Sequence, residues 1–296
     1  MEALVSAIIT TYKRTPTMLE RAINSVLNQT YKNIELIVVD DSPQTYEFKE
    51  DVKKFVESLG ANVRYISHKE NLGACAARNT GFKNCKGEFV AFLDDDDEWF
   101  SEKIEKQLEV FKNKSDVALV YCGHKTINDS KSQITTAKTK FLSGYLYDKL
   151  IFDNYVGSTS FPLIKRDAFE KAGGFDTLMM SAQDYDLWLR IAKKYCIDFV
   201  AEPLVYYHVH NGEQISKSYK NKICGLERIN EKNKEFLMQN RRAWMIKNIV
   251  ITPYYAADGD WRKALKIWWK CFLKCPYALM VNAKYLIKIL VNIIKH

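Results

Sequence analysis

Four consecutive aspartates, Asp94 to Asp97, are the side chains of this sequence best suited to do chemistry. Carboxylates a few ångströms apart oppose one another's ionisation, so such a cluster needs either a cation or full solvation. Hard cations such as Mg2+ and Mn2+ take carboxylate oxygens together with a substrate's phosphates, often through only one or two carboxylates. An isolated acidic run is more commonly a solvated turn. Here, however, the aspartates close an apolar run, EFVAFL, and precede Glu98-Trp99, which favours a metal–diphosphate site. A second candidate is Asp184, behind Gln183 at the start of a helical stretch. A carboxylate there suits a general base, or a plain helix N-cap with no chemistry. Asp186 is a weaker rival for the same role. His208 and His210 stand two apart near the end of a strand and so share one side. His210 is either a metal or phosphate contact or a structural histidine.

These groups need elements to hold them, and the first 120 residues alternate strand-like and helix-like segments. Leu4 to Thr10, Glu35 to Val39, Val63 to Ile66 and Phe89 to Leu93 are short apolar runs without polar alternation. Between them, Thr15-Pro16 opens a helix whose Leu19, Ala22, Ile23, Val26 and Leu27 form one apolar face. Further helical stretches lie around residues 47–59 and 74–84. Unalternating strands separated by helices predict an α/β fold, a mostly parallel sheet with helices on both faces. Ligands of such sheets sit beyond the carboxyl ends of the strands. Those ends carry Thr10-Thr11-Tyr12, Asp40-Asp41 and the four aspartates, so the three clusters are expected to meet in one cleft. Residues 125–145 are polar and read as a loop or excursion. Lys165 to Phe175 and Asp184 to Lys194 look helical, and Ile197 to Val200 and Leu204 to Val209 look like strands. From about residue 218 the pattern is helical. Trp99 and Trp188 are expected in the core, with an acceptor-site floor as the alternative for Trp188.

In order along the chain, Val5 to Arg14 (VSAIITTYKR), Ala22 to Asp41, Asn71 to Gly81 (NLGACAARNTG), Gly87 to Trp99, Ala172 to Arg190 and Pro203 to Asn211 resemble family 2 glycosyltransferases of the GT-A fold. The resemblance covers roughly residues 1–215. It implies a catalytic domain over 1–217, with a nucleotide-binding half 1–123 and an acceptor half 124–217, followed by a helical region 218–296. It implies an inverting transfer from a UDP-sugar to a saccharide or lipid-linked acceptor. Thr10 and Tyr12 would cradle the base, and Asp41 would accept a hydrogen bond from uracil. Arg78 would lie near the base or diphosphate. Asp94 and Asp95 would contact the nucleotide, Asp95 at the ribose, and Asp96 would bind Mn2+ or Mg2+, although the family's spaced-aspartate pattern fits both 94/96 and 95/97. His210 would be a further metal or phosphate contact. Asp184 would be the catalytic base, with Gln183 in place of the family's usual Glu. His208 replaces an Arg, and Asp41-Ser42-Pro43 replaces the usual Asp-Gly-Ser.

Charge separates the chain into two parts. Residues 240–296 hold 11 Lys and Arg against 2 acids, whereas residues 1–239 hold 33 basic and 34 acidic groups. The net charge of +8 therefore belongs to the tail, and no nucleic-acid binding is inferred for the body. In the tail, Lys263, Lys266, Lys270 and Lys274, then Lys284, Lys288 and Lys295, alternate with aromatic and aliphatic residues. This suits in-plane helices on an anionic membrane, or a hairpin packed on the body or on a second copy in a homo-oligomer. No apolar run reaches the ~18–20 residues of a membrane span, and the start lacks a secretory pattern. The 7 cysteines, with no CxxC spacing, read as reduced thiols. A cytoplasmic protein is the expected setting, peripheral on the inner face of the membrane if these helices bind lipid. Neither GxGxxG nor GxxxxGK[ST] occurs, which removes dehydrogenase and P-loop readings. Two other classes stay open: a metal-dependent phosphohydrolase or nuclease, and a non-catalytic nucleotide-sugar-binding membrane scaffold.

Overall fold

A computed structural model describes residues 2–112, 114–128, 133–209 and 218–294. The chain divides into two compact units. The first comprises Met1–Leu150, Asn154–Thr177 and Leu187–Asn211; the second comprises Ile151–Asp153, Leu178–Asp186 and Gly212–His296.

The first unit begins with β1 (Val5–Thr11), α1 (Pro16–Leu27), β2 (Ile34–Asp40), α2 (Lys49–Glu57), β3 (Val63–Ser67), α3 (Ala74–Asn84) and β4 (Phe89–Asp94). It continues with β5 (Glu98–Trp99), α4 (Lys103–Phe111), β6 (Val117–Asn128), β7 (Gln133–Thr136), α5 (Tyr147–Leu150), β8 (Leu163–Lys165) and α6 (Arg166–Lys171). The boundary falls inside α7 (Gln183–Ala192), and β9 (Cys196–Val209) completes the sheet. Strand order is β3-β2-β1-β4-β8-β6-β9-β5, with β7 paired to β6. β3, β2, β1 and β4 run parallel, as their unalternating apolar sequences require. Antiparallel β8 then turns the sheet into its mixed half, where β6 and β9 are again parallel.

Register is what brings the polar strand ends together. Thr10 lies opposite both Val39 and Asp94, and Thr11 lies opposite Asp40. The core beneath them is built from Ala7, Ile9, Val38, Ala91, Leu93 and their neighbours. α3 packs so tightly on β1 that a Cβ on Gly81 would sit 2.4 Å from an Ile8 methyl carbon, so only glycine fits.

Three expectations need amendment. Leu27 is exposed, because it lies about 80° around the helix from Leu19. The two strands expected over 197–209 are one, β9, interrupted by a register shift at Pro203, where proline cannot donate to the ladder. Part of the expected loop 125–145 is a ribbon: β6 continues to Asn128 and pairs with β7. All four β7 residues are exposed, so neither face carries an apolar alternation to read.

The second unit holds α8 (Tyr219–Lys232), α9 (Lys234–Gln239), α10 (Arg241–Ile249), α11 (Thr252–Ala257), α12 (Trp261–Lys274) and α13 (Leu279–Ile294). Ser218, Asn240 and Asp260 cap α8, α10 and α12 by accepting from backbone N–H groups one turn on. Among the described residues no helix is long and apolar enough to cross a membrane.

Candidate active site

The four aspartates form a turn closed by the Asp97 N–H on the Asp94 carbonyl at 3.0 Å, and each member has a different environment. Asp94 ends β4. Its carboxylate accepts from Arg78 at 2.7 Å and from the Thr159 hydroxyl at 3.0 Å. Asp95 takes Arg14 on both oxygens, at 3.2 and 3.0 Å. Asp96 is half-buried, and its backbone carbonyl accepts from Arg21 at 2.6 Å. Asp97 is buried, accepting from the Ser160 hydroxyl at 2.5 Å and from the His208 backbone N–H at 3.2 Å. Burial, and then the charges of Asp94 and Asp96, lift its carboxyl well above the ordinary range. Asp97 therefore anchors the turn from below, while two arginines offset the charge of its neighbours.

The walls come from two further strand ends. Asp40 accepts from the Ser42 N–H at 2.8 Å and from the Tyr65 hydroxyl at 2.7 Å. Asp41, also buried, sits at the entrance of α3, where it accepts from the N–H groups of Leu72 and Gly73 at 2.9 and 2.8 Å and pairs with His68 at 2.7 Å. A carboxylate has about four acceptor positions, so one remains for a ligand N–H. α3 thereby fixes Arg78 against Asp94, with the Phe175 ring 5.3 Å from the guanidinium carbon. Asn79, next in α3, clasps the Phe175 backbone at 2.7 and 2.9 Å and holds the Gly173-Gly174 turn. Tyr12 is 42% exposed at the end of β1, a ring open to stacking.

The first unit thus brings together Thr10, Tyr12, Asp41, Arg78 and Asp94 to Asp96 at one sheet edge. Asp184 belongs to the second unit, at the first turn of α7, where one carboxylate oxygen accepts the Tyr185 N–H at 2.7 Å. Its rival Asp186, also in that unit, is buried and ion-paired to Lys232 at 2.8 Å. His210 lies outside the described residues. Trp99 and Trp188 are both core residues, their indole N–H groups donating to the carbonyls of Ser160 and Gly157.

Sequence reasoning missed Arg14, Arg21, His68 and the hydroxyl run Ser158-Thr159-Ser160 as parts of this site. The available signal was three adjacent hydroxyl residues inside an otherwise apolar stretch, the donors a carboxylate cluster needs.

Among the described residues no three His, Cys, Asp or Glu side chains gather as a complete metal-ligand set. A cation held by one or two carboxylates and completed by ligand phosphates asks for less, and half-buried Asp96 offers one such carboxylate.

The sequence profile of "Glycosyl transferase family 2" matches residues 6–173, and the chain belongs to that family. An uncharacterized glycosyltransferase of Rickettsia prowazekii (strain Madrid E) is 34% identical over 215 residues, 70% of this chain and 64% of that protein. A protein of Escherichia coli (strain K12), WcaA, named as a candidate colanic acid biosynthesis glycosyl transferase, is 29% identical over 78% of this chain and 82% of its own. The crystal structure of Staphylococcus aureus TarS 1–349, in complex with UDP-GlcNAc, superposes with a TM-score of 0.58 at 18% identity, covering 85% of this chain and 81% of that one. The chain is a glycosyltransferase of family 2 with a GT-A-like α/β fold and appended C-terminal helices.

Proposed function

We propose that this transferase is metal-dependent and inverting, moving a sugar from a UDP-sugar to a hydroxyl of a saccharide or lipid-linked acceptor at an anionic membrane surface. The observation that carries this reading is the register-matched meeting of Thr10, Asp40-Asp41 and Asp94 to Asp97 at one sheet edge, with Arg78 and Arg14 beside the carboxylates. The UDP-GlcNAc bound by TarS supports uridine diphosphate as the carrier. Thr10 and Tyr12 would flank the uracil, and the remaining acceptor position of Asp41 would take its N–H. Asp95 would reach the ribose hydroxyls with the lone pairs that Arg14 leaves.

A divalent cation, Mn2+ or Mg2+, would supply charge stabilisation to the departing diphosphate, and Asp96 and, from the resemblance, His210 would hold it. Asp184 is the general base. It takes the proton of the acceptor hydroxyl as that oxygen bonds the anomeric carbon on the face opposite the diphosphate. The bond from that carbon to the diphosphate oxygen breaks, and its electrons leave with UDP. A positioned base contributes on the order of 10²–10⁴-fold to such a step.

The experiment is UDP release from a panel of UDP-sugars, with and without Mn2+. Release that depends on one sugar and on the cation supports the reading. Inorganic phosphate from simple phosphate esters, without sugar-nucleotide dependence, would instead mark a phosphohydrolase.

A further inference from the structure

α12 and α13 carry an apolar surface that the fold does not use. Their inward sides are already filled: Ala264 and Cys271 of α12 and Ile289 of α13 are buried in two clusters with residues of α8, α10 and α11. Trp268 belongs to this interior, and its indole N–H donates to the Asn282 carbonyl at 2.8 Å, tying the two helices together. Trp269, one residue on, is 52% exposed.

That exposure is patterned. Trp261, Leu265, Trp269 and Leu273 recur every four residues along α12; Trp261, Trp269 and Leu273 are exposed, while Leu265 is partly buried against the inner cluster. The residues immediately after the first three, Arg262, Lys266 and Lys270, are exposed and form a parallel basic stripe. α13 repeats the design, with Met280, Ile287 and Val291 exposed beside exposed Lys284 and Lys288. From Trp261 to Ile294 there is no Asp or Glu to balance these charges. Of the eighteen exposed large apolar side chains among the described residues, eight lie between Trp261 and Val291. Exposed apolar side chains concentrated on two neighbouring helices mark an interaction face.

Its partner is specified by the pairing of stripes. Apolar and aromatic side chains flanked by cations match the boundary between acyl chains and anionic headgroups, where lysine stems follow the apolar surface and ammonium groups reach phosphate. Among the described residues no helix is long and apolar enough to span, and stripes of apolar and basic side chains along the helices suit a fit in the plane of the bilayer. We infer that α12 and α13 form an in-plane docking surface for an anionic lipid bilayer: Trp269, Leu273, Ile287 and Val291 enter the acyl boundary, and Lys266, Lys270, Lys284 and Lys288 meet phosphates. The inference rests on the reading above in that it names the membrane contact of a membrane-working transferase. Lipid binding is nevertheless scored without any sugar transfer.

The test uses the full chain with vesicles of phosphatidylcholine alone and of phosphatidylcholine with phosphatidylglycerol. The wild type should sediment with the anionic vesicles, lose that binding as salt is raised, and show tryptophan emission quenched by bromine-labelled acyl chains. Trp269→Ser with Ile287→Ser should lower vesicle affinity at least tenfold while keeping the melting temperature and the UDP response, since both side chains are exposed. Lys266→Gln with Lys284→Gln should remove the preference for anionic lipid. Unchanged sedimentation of the Trp269/Ile287 variant overturns the inference. So does a wild type that ignores anionic vesicles, or a variant whose only change by light scattering is from dimer to monomer, which would make this face a subunit contact. Loss of UDP binding with intact vesicle binding would sink the catalytic reading and leave this one standing.

Discussion

Arg14 holds Asp95 with one edge of its guanidinium, Nε donating to one carboxylate oxygen at 3.2 Å and a terminal nitrogen to the other at 3.0 Å. The pair links the segment after β1 to the turn after β4, and its side chains are only 26% and 11% exposed. Burial alone would lower the guanidinium's pKa, but the hydrogen bond and charge of Asp95 outweigh it and hold it above its ordinary value. Arg14→Ala would leave Asp95 next to two other carboxylates without this counter-charge. Allowing for partial solvent screening, the expected loss is on the order of 1–2 kcal/mol, read from urea unfolding at neutral pH. Arg14→Lys should recover only part of it, because one ammonium cannot grip both oxygens. Wild-type stability in Arg14→Ala would show the pair to be ornamental.

Asp184 and Asp186 are two residues apart but should fail differently. Asp186→Asn breaks a buried ion pair with Lys232, so a stability loss of about 2 kcal/mol is expected, with turnover per folded molecule little changed. Asp184→Asn should keep the melting temperature and UDP binding while turnover falls by roughly 10²–10⁴-fold. Both are measured by pairing thermal unfolding with UDP release. Near-normal turnover in Asp184→Asn would move the base elsewhere.

The fold and the site were legible to different depths. The parallel strands could be read because burial on both faces leaves runs such as AII and LIVV with no alternation, and the entrance of α1 because Thr15-Pro16 is a local signal. The aspartate turn was visible because four like charges demand an explanation. Arg14, Ser160 and His68 were not, because their partners lie 81, 63 and 27 residues away and nothing nearby in sequence marks them. β7 was missed for the opposite reason: an exposed ribbon has no buried face to pattern it.

Lys103 gives a pH signature beneath the site. It is buried in α4, donates to Gln107 at 2.8 Å and lies 4.2 Å from the Trp99 ring centroid, whose indole N–H bonds Ser160. Burial lowers its pKa from 10.5 to about 8. The unfolded chain therefore binds more protons between those values, so this residue's contribution to stability rises with pH across that window and is flat below it. Lys103→Met removes the slope. Its stability relative to wild type should fall by about 2 kcal/mol between pH 7.5 and 9.5 in urea unfolding. A constant difference would mean that the amine titrates normally.

The most direct test of the whole account is the melting temperature of the protein with UDP, titrated with and without Mn2+, in wild type and in Asp96→Asn. A cation-dependent rise in the wild type, lost in the variant while the unliganded melting temperature holds, is the predicted result. An equal rise in both proteins, or a UDP response indifferent to the cation, would contradict a metal–diphosphate centre at the four aspartates.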